Sequence, residues 1–221
     1  MNASDLLDLR LFTVPMAADL LELGSRLRYW VYGWGDYEPA IRPQRNTDKV
    51  MTWGEFMEAA ALKELRQTHN YSLQQLRIFR QAVATDYPSL PYPLASVDVL
   101  RNGRALAYAI EQAGGRQIYE PGTGQIAEEG EWVETFVEKI ELRDRVPVLY
   151  RPDSRYRRVV ISAERRFGAP NVEGIRTEGL WMLTQAGETV ESLAEAWRVD
   201  EGLIHEAVEY ERERRRQPAL A

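Results

Sequence analysis

The chain has 221 residues, a formal net charge of −6, two histidines and no cysteine. That composition excludes a disulfide framework and any cysteine-based zinc site. The negative charge argues against indiscriminate polyanion binding. No apolar run approaches the ~18 residues of a membrane span. The opening MNASDLLDLR lacks the basic start and apolar core of a signal peptide, so a cytoplasmic protein is expected. The acidity is uneven. Residues 1–95 carry 10 basic and 11 acidic side chains, residues 96–150 carry 6 and 10, and residues 151–221 carry 12 and 13. The excess therefore lies in the middle, and both ends are near neutral, which permits a local basic face at either end.

The first predicted elements form a helix-turn-helix. Thr13 before Pro15 reads as an N-cap, and Ala17, Ala18, Leu20 and Leu21 give helical spacing through Leu23. Gly24 ends that helix, Ser25 is placed to cap the next, and Arg26 to Tyr32 form the second helix before Gly33 and Gly35. Residues 36–47, with Pro39 and Pro43 around Ile41, read as a loop or short β-wing. In a helix-turn-helix the second helix enters the DNA major groove. Ser25, Arg26, Arg28 and Tyr29 are the first DNA-contact candidates, and Arg42, Arg45 and Lys49 follow in the wing, where they would lie along phosphates. Trp30 reads as core.

Thr52 to Glu55 and Ser72 to Gln75 both have capping-box spacing. The first box predicts a helix to about Gln67 with Phe56, Ala59, Ala60 and Leu62 apolar. The second predicts one ending near Tyr87-Pro88, with Leu73, Leu76, Phe79 and Val83 apolar. An extended Pro-rich SLPYPLA follows as a module seam. Val97 to Leu100, Asn102-Gly103 and Ala105 to Ile110 predict a hairpin with a type I′ turn, and residues 116–127 around PGTG a second. Trp132, Val133, Phe136, Val137 and Ile140 repeat at helical spacing. Val146 to Tyr150 and Arg158 to Ile161 read as strands. After a turn-rich stretch, helices are expected at Leu180 to Ala186, Val190 to Trp197, and Glu201 to about Arg215 with Asp200 as cap.

The predicted fold is α+β and mostly α. It has a winged helix-turn-helix over residues 1–95 and a small antiparallel sheet within 96–161. A three-helix, helix-turn-helix-like bundle occupies 162–221. Nothing points to an enzyme, a cofactor or a metal. There is no GxxxxGK[ST], GxGxxG or Ser/His/Asp set. His69 and His205 lack partners at ligand spacing, and Glu128, Glu129, Glu131 and Glu134 read as a solvated helix start.

Three stretches resemble known families. FGAPNVEGIRT, followed by AGETVESLAEAWRVDEGLIHEAVEYE, resembles the domain of unknown function 433, whose usual pattern is Gly-x-Pro-x-Ile-x-Gly-Thr-Arg. Gly168, Pro170, Val172 and Gly174 match that pattern, and Ile175-Arg176-Thr177 departs from its Thr-Arg order. TVPMAADLLELGSRLRYWVYG resembles the first helix-turn-helix of MerR-like winged-helix domains. Residues 51–96 are similar to the segment that follows it in two-domain, VapB-type antitoxins. The joint resemblance implies a type II antitoxin that inhibits a PIN-like ribonuclease and represses its own operon. It also implies a role for Arg212, Arg214, Arg215 and Arg216. A bidentate Arg from this tail would occupy the toxin's carboxylate cluster and displace its metal ion. A plain helix end whose dipole favours cations is the other reading of that tail. Operator DNA, the toxin and a second copy of the chain are thus the expected partners, because such operators are usually read by dimers. Two alternatives stand beside this one. One is a stand-alone MerR-like regulator holding a small molecule in the middle sheet. The other is an interaction module that does not bind DNA.

Overall fold

The computed structural model describes residues 3–69, 71–101 and 131–216. After a 3-10 turn at Ala3–Asp8, strand β1 (Arg10–Thr13) leads into α1 (Val14–Leu20) and α2 (Arg26–Tyr32). A long loop returns to β2 (Val50–Thr52), which pairs antiparallel with β1, Phe12 opposite Met51. Helices α3 (Trp53–His69) and α4 (Leu73–Asp86), a 3-10 turn at Pro93–Ala95 and the short α5 (Val97–Leu100) follow. Helix α6 (Glu131–Glu138) then precedes a three-stranded antiparallel sheet of β3 (Ile140–Arg143), β4 (Val146–Tyr150) and β5 (Ile161–Ser162). A two-stranded hairpin, β6 (Asn171–Val172) and β7 (Ile175–Arg176), introduces α7 (Thr177–Gln185), α8 (Val190–Trp197) and α9 (Glu201–Arg216). The molecule is thus α+β and mostly helical, with a small antiparallel sheet in the middle and a three-helix bundle at the C-terminal end.

Helix α3 is the centre of the larger core. Trp53, Phe56, Met57, Ala59, Ala60, Ala61, Leu62 and Leu65 are all buried, which spreads apolar contact around the whole helix rather than along one stripe. Its three buried ionisable side chains each have a partner. Glu58 meets Arg80 from α4, Lys63 meets Glu22, and Glu64 meets Lys139 at 2.6 Å. Phe12, Trp53, Phe56 and Tyr150 form a connected aromatic cluster, with Phe12 stacked on Phe56 at 4.4 Å. The Trp53 indole donates to the Pro147 carbonyl at 2.6 Å and so ties α3 to β4. Val97, Val133, Phe136, Ile140, Val148 and Ile161 join this same cluster, so the described part of the middle region packs into the N-terminal core. A separate, smaller cluster holds the C-terminal bundle together through Val159, Val172, Leu180, Leu193, Leu203, Ile204, Ala207 and Tyr210.

The helix starts follow the local chemistry of their caps. Thr13 accepts from the Met16 N–H, and Thr189 accepts from the Ser192 N–H. Both capping boxes are complete. The Thr52 hydroxyl accepts from Glu55 N–H at 3.1 Å while Glu55 accepts from Thr52 N–H, and Ser72 and Gln75 do the same. Ser25 departs from expectation. It already has helical φ and ψ and makes no side-chain cap, because the turn from α1 enters α2 with its N–H groups directed at Leu23 and Ser25 carbonyls. The strand expected at Val97 to Leu100 is instead α5. Leu100 N–H donates to the Ser96 carbonyl and Arg101 N–H to Val97. Four residues are too few for a period of two to be told from one of 3.6. The remainder of that predicted hairpin, and all of the second, lie outside the described residues.

Candidate functional site: a cleft beside the first helix pair

A cleft of about 1370 Å³ opens between α1, α2 and the loop that follows them. Val14, Pro15, Ala18 and Asp19 of α1 form one wall, and Arg28, Tyr29 and Tyr32 of α2 form another. Gly33, Trp34, Arg45, Asn46, Thr47 and Lys49 close it from the loop. Arg214, from the far end of the chain, reaches in from α9.

The loop wall is held by backbone geometry and by one buried cation. Gly33 has a φ of +76°, and a Cβ there would stand 2.4 Å from the Tyr37 carbonyl oxygen, so a side chain has no room. Trp34 and Tyr37 then exchange N–H···O bonds of 3.0 and 2.9 Å across a tight turn. This leaves the Trp34 ring largely exposed, edge-on to Tyr29 with ring centroids 5.1 Å apart. Arg42 sits behind the loop and is only 3% exposed. Its guanidinium donates to both Glu55 carboxylate oxygens, to the Asn46 side chain, and to the carbonyls of Asp48 and Val50. Arg10 grips Asp48 with two further bonds of 2.5 and 2.9 Å, which holds the Asp48 carboxyl below its ordinary range.

No family model matches the chain. A protein of Mycobacterium tuberculosis named uncharacterized protein Rv2308 is 23% identical over 226 residues, spanning 95% of this chain and 93% of that protein. The crystal structure of Rv2018, also from Mycobacterium tuberculosis, superposes with a TM-score of 0.69 at 20% identity, over 91% of this chain and 99% of that one. At that identity the likeness is one of fold, and it embraces both cores.

Five of the seven DNA-contact candidates line the cleft: Ser25, Arg28, Tyr29, Arg45 and Lys49. Arg26 lies beside it on the exposed surface, its Nε donating to the Leu23 carbonyl. Arg42 requires correction. It is an internal clamp that joins the loop to the start of α3, and its guanidinium has no free edge for a phosphate. Arg45 is also largely committed, donating to the Gly35 and Tyr37 carbonyls at 2.6 and 2.8 Å and lying 3.4 Å from Glu38. Arg28 and Lys49 are exposed and make no side-chain hydrogen bond or ion pair among the described residues.

The C-terminal arginines agree with the helix-end reading of that run: α9 extends to Arg216, and Arg214, Arg215 and Arg216 lie in its last turn. Arg214 bridges Asp19 of α1 and the buried Glu211, thereby fastening the C-terminal bundle to the first core. Arg215 pairs with Glu178 and Glu211 and stacks over Trp181, 4.2 Å from the ring centroid. Arg212 pairs with Glu209. Thus three of the four cations expected to plug a partner are engaged within the chain, and only Arg216 is exposed without a partner among the described residues. Their positions follow Glu211, which is fully buried and also accepts from the Thr177 hydroxyl at 2.6 Å. A buried carboxylate demands such compensation.

The last helix pair, α8 and α9, presents several carboxylates at its turn. A shallow depression of about 550 Å³ at its turn is lined by Glu191, Ala194, Glu195, Val199, Asp200 and Glu201. Asp200 is held below its ordinary range by Arg158, 2.7 Å away. His205 is exposed on α9, and among the described residues no three His, Asp or Glu converge as metal ligands. Glu134 forms a two-bond pair with Arg101 on the surface. Glu128 and Glu129, like the side chains of Glu131 and His69, lie outside the described residues.

Sequence reasoning missed Trp34, Asn46, Thr47 and the acidic wall residues Asp19 and Glu22. A large aromatic between two glycines, Gly33-Trp34-Gly35, was the available signal for an exposed ring on a constrained turn.

Proposed function

We propose that the chain is a non-enzymatic regulator of the antitoxin type, whose first helix-turn-helix binds operator DNA and whose C-terminal bundle engages a protein partner. The observation carrying this reading is the division of charge between the two helix pairs. Exposed cations Arg26, Arg28 and Lys49 surround α2, whereas Glu191, Glu195 and Glu201 stand at the α8–α9 turn, where Asp200 is paired with Arg158 and Arg198 is the one exposed cation of the turn among the described residues. Phosphates repel the second surface and are attracted to the first. DNA contact is therefore assigned to Ser25, Arg26, Arg28, Tyr29 and Lys49, and Arg42 is withdrawn from it. A cationic protein surface, such as a nuclease bears toward its own substrate, suits the acidic turn. The family resemblance read from the sequence points to a PIN-like ribonuclease as that partner. A homodimer would supply the second half-site contact. A cytoplasmic location agrees with the absence of cysteine, and no helix of the described residues is long and apolar enough to cross a membrane.

Fluorescence anisotropy with DNA from upstream of the chain's own coding sequence tests the first half. Arg26→Glu with Arg28→Glu is expected to abolish binding. Neutralising both to Gln should lower the salt slope by about 0.9 for each lost phosphate contact. Unchanged DNA affinity in both variants would remove the assignment. Co-expression with the protein encoded next to the chain, followed by pull-down and a growth assay, tests the second half. Recovery of a complex that relieves toxicity is expected, and Glu195→Lys with Glu201→Lys should weaken it.

A further inference from the structure

The cleft shares Arg28, Tyr29 and Lys49 with the proposed DNA contact and adds an apolar wall that DNA contact does not use. Its deep wall is apolar and aromatic, from Val14, Pro15, Ala18, Tyr29 and the exposed Trp34 ring. Its acidic residues are neutralised from within the chain. Asp19 is paired with Arg214, and Glu22 with Lys63. Arg45 is spent on two carbonyls and Glu38. What remains uncompensated is positive: Arg28 on one wall and Lys49 on the other. An apolar concavity with a few convergent polar groups is the usual form of a small-molecule site.

We propose that this cleft binds a small amphipathic organic anion, with a flat apolar body against Trp34 and Tyr29 and one anionic head group between Arg28 and Lys49. Charge complementarity selects this class. A neutral apolar molecule would leave both cations unmet, and a polyanion without an apolar body would leave the aromatic wall wet. A planar body also gains from stacking on an exposed indole and from the cation–π character of the neighbouring guanidinium. The inference places the small-molecule pocket on α1 and α2. None of residues 131–161 lines it. It concerns the free chain and does not depend on DNA binding.

The test uses two fluorescent probes of nearly the same shape, 1-anilinonaphthalene-8-sulfonate and its uncharged counterpart N-phenyl-1-naphthylamine, titrated into the full-length chain without DNA. The sulfonate is expected to bind with one-to-one stoichiometry. Arg28→Gln and Lys49→Gln should each weaken it about tenfold, the scale of one lost charged hydrogen bond. The neutral probe should not respond to either change. Trp34→Ala should weaken both probes. All three side chains are surface residues whose removal leaves no buried group unpaired, and an unchanged thermal midpoint confirms that each variant is folded. Absence of saturable binding, or sulfonate binding indifferent to Arg28 and Lys49, would overturn the proposal.

Discussion

Replacing Arg42 separates a structural cation from a nucleic-acid contact. In the folded chain its guanidinium makes five hydrogen bonds, two of them to Glu55, whose carboxylate in turn caps the start of α3. Arg42→Ala leaves Glu55, itself only 14% exposed in its side chain, without its cation, and leaves the Asp48 and Val50 carbonyls short of a donor. Breaking one side of a buried ion pair costs about 3–5 kcal/mol. At the roughly 2–4 °C per kcal/mol expected for a chain of this size, the thermal midpoint should fall by about 10 °C. Arg42→Lys keeps the charge but loses the planar fork, so its loss should be smaller yet clear. Circular-dichroism melts measure the stability. DNA anisotropy, taken well below the midpoint of each variant, measures affinity per folded molecule and should be unchanged. A variant with wild-type stability and lost DNA affinity would refute the clamp and restore Arg42 to the DNA-facing surface.

Burial pushes the Glu58 carboxyl up to about 7, against partial opposition from Arg80 and the Leu94 N–H. A raised carboxyl pKa means that the folded state holds a proton the unfolded chain releases. The favourable contribution is therefore complete below the ordinary value of 4.5 and is lost as pH rises to about 7. The span amounts to about 3 kcal/mol. Urea unfolding of Glu58→Gln from pH 5 to 8 should lack this slope, and a slope equal to that of the wild type would count against the assignment. Gly168 has a φ of +75°, and a Cβ there would lie 2.5 Å from the Phe12 ring. Gly168→Ala should cost about 1–3 kcal/mol by thermal melt, and a neutral result would show that the ring yields. At the junction of the two cores, Asp19→Asn should cost under about 1 kcal/mol, because Asp19 is more than half exposed. Glu211→Ala should cost about 3 kcal/mol, because it removes the buried carboxylate shared by Arg214, Arg215 and the Thr177 hydroxyl. Equal costs at the two positions would contradict this ranking.

What could be read from the chain alone was mainly local. Capping at Thr13, Thr52 and Ser72 depends on side chains reaching backbone three residues away, so spacing suffices. The limits of α2, α8 and β4 fall where the sequence pattern placed them, α2 ending at its glycines. Expectation failed where tertiary partners decide. Arg42 reads as one of three scattered wing cations, and only the burial of its loop against Glu55 makes it a clamp. Likewise, the Arg212 to Arg216 run reads equally as a helix end or as a partner-binding tail until Glu211 is seen buried beneath it and Asp19 beside it. The cleft itself was illegible because its walls come from α1, α2, a loop ending at Lys49, and a residue some 160 positions further on.

That last residue connects the two halves of the argument. Arg214 belongs to the helix that carries the acidic C-terminal pair, yet it lines the cleft beside the basic N-terminal pair and is fastened to Asp19 on its wall. An occupant of the cleft that reaches Arg214 would touch both cores at once. Reciprocity of binding free energies then applies. If an anion in the cleft draws on Arg214, it weakens the hold on Asp19, and an event that loosens the C-terminal bundle changes affinity in the cleft by the same factor. The junction is suited to such coupling because its Asp19 contact is more solvent-exposed, whereas the Glu211 contact, made within one turn of α9, is buried. The more exposed contact can exchange without breaking the buried one. In this way the proposed partner at the acidic α8–α9 turn and the proposed ligand of the N-terminal cleft would act on opposite ends of one helix, α9, without a shared binding surface.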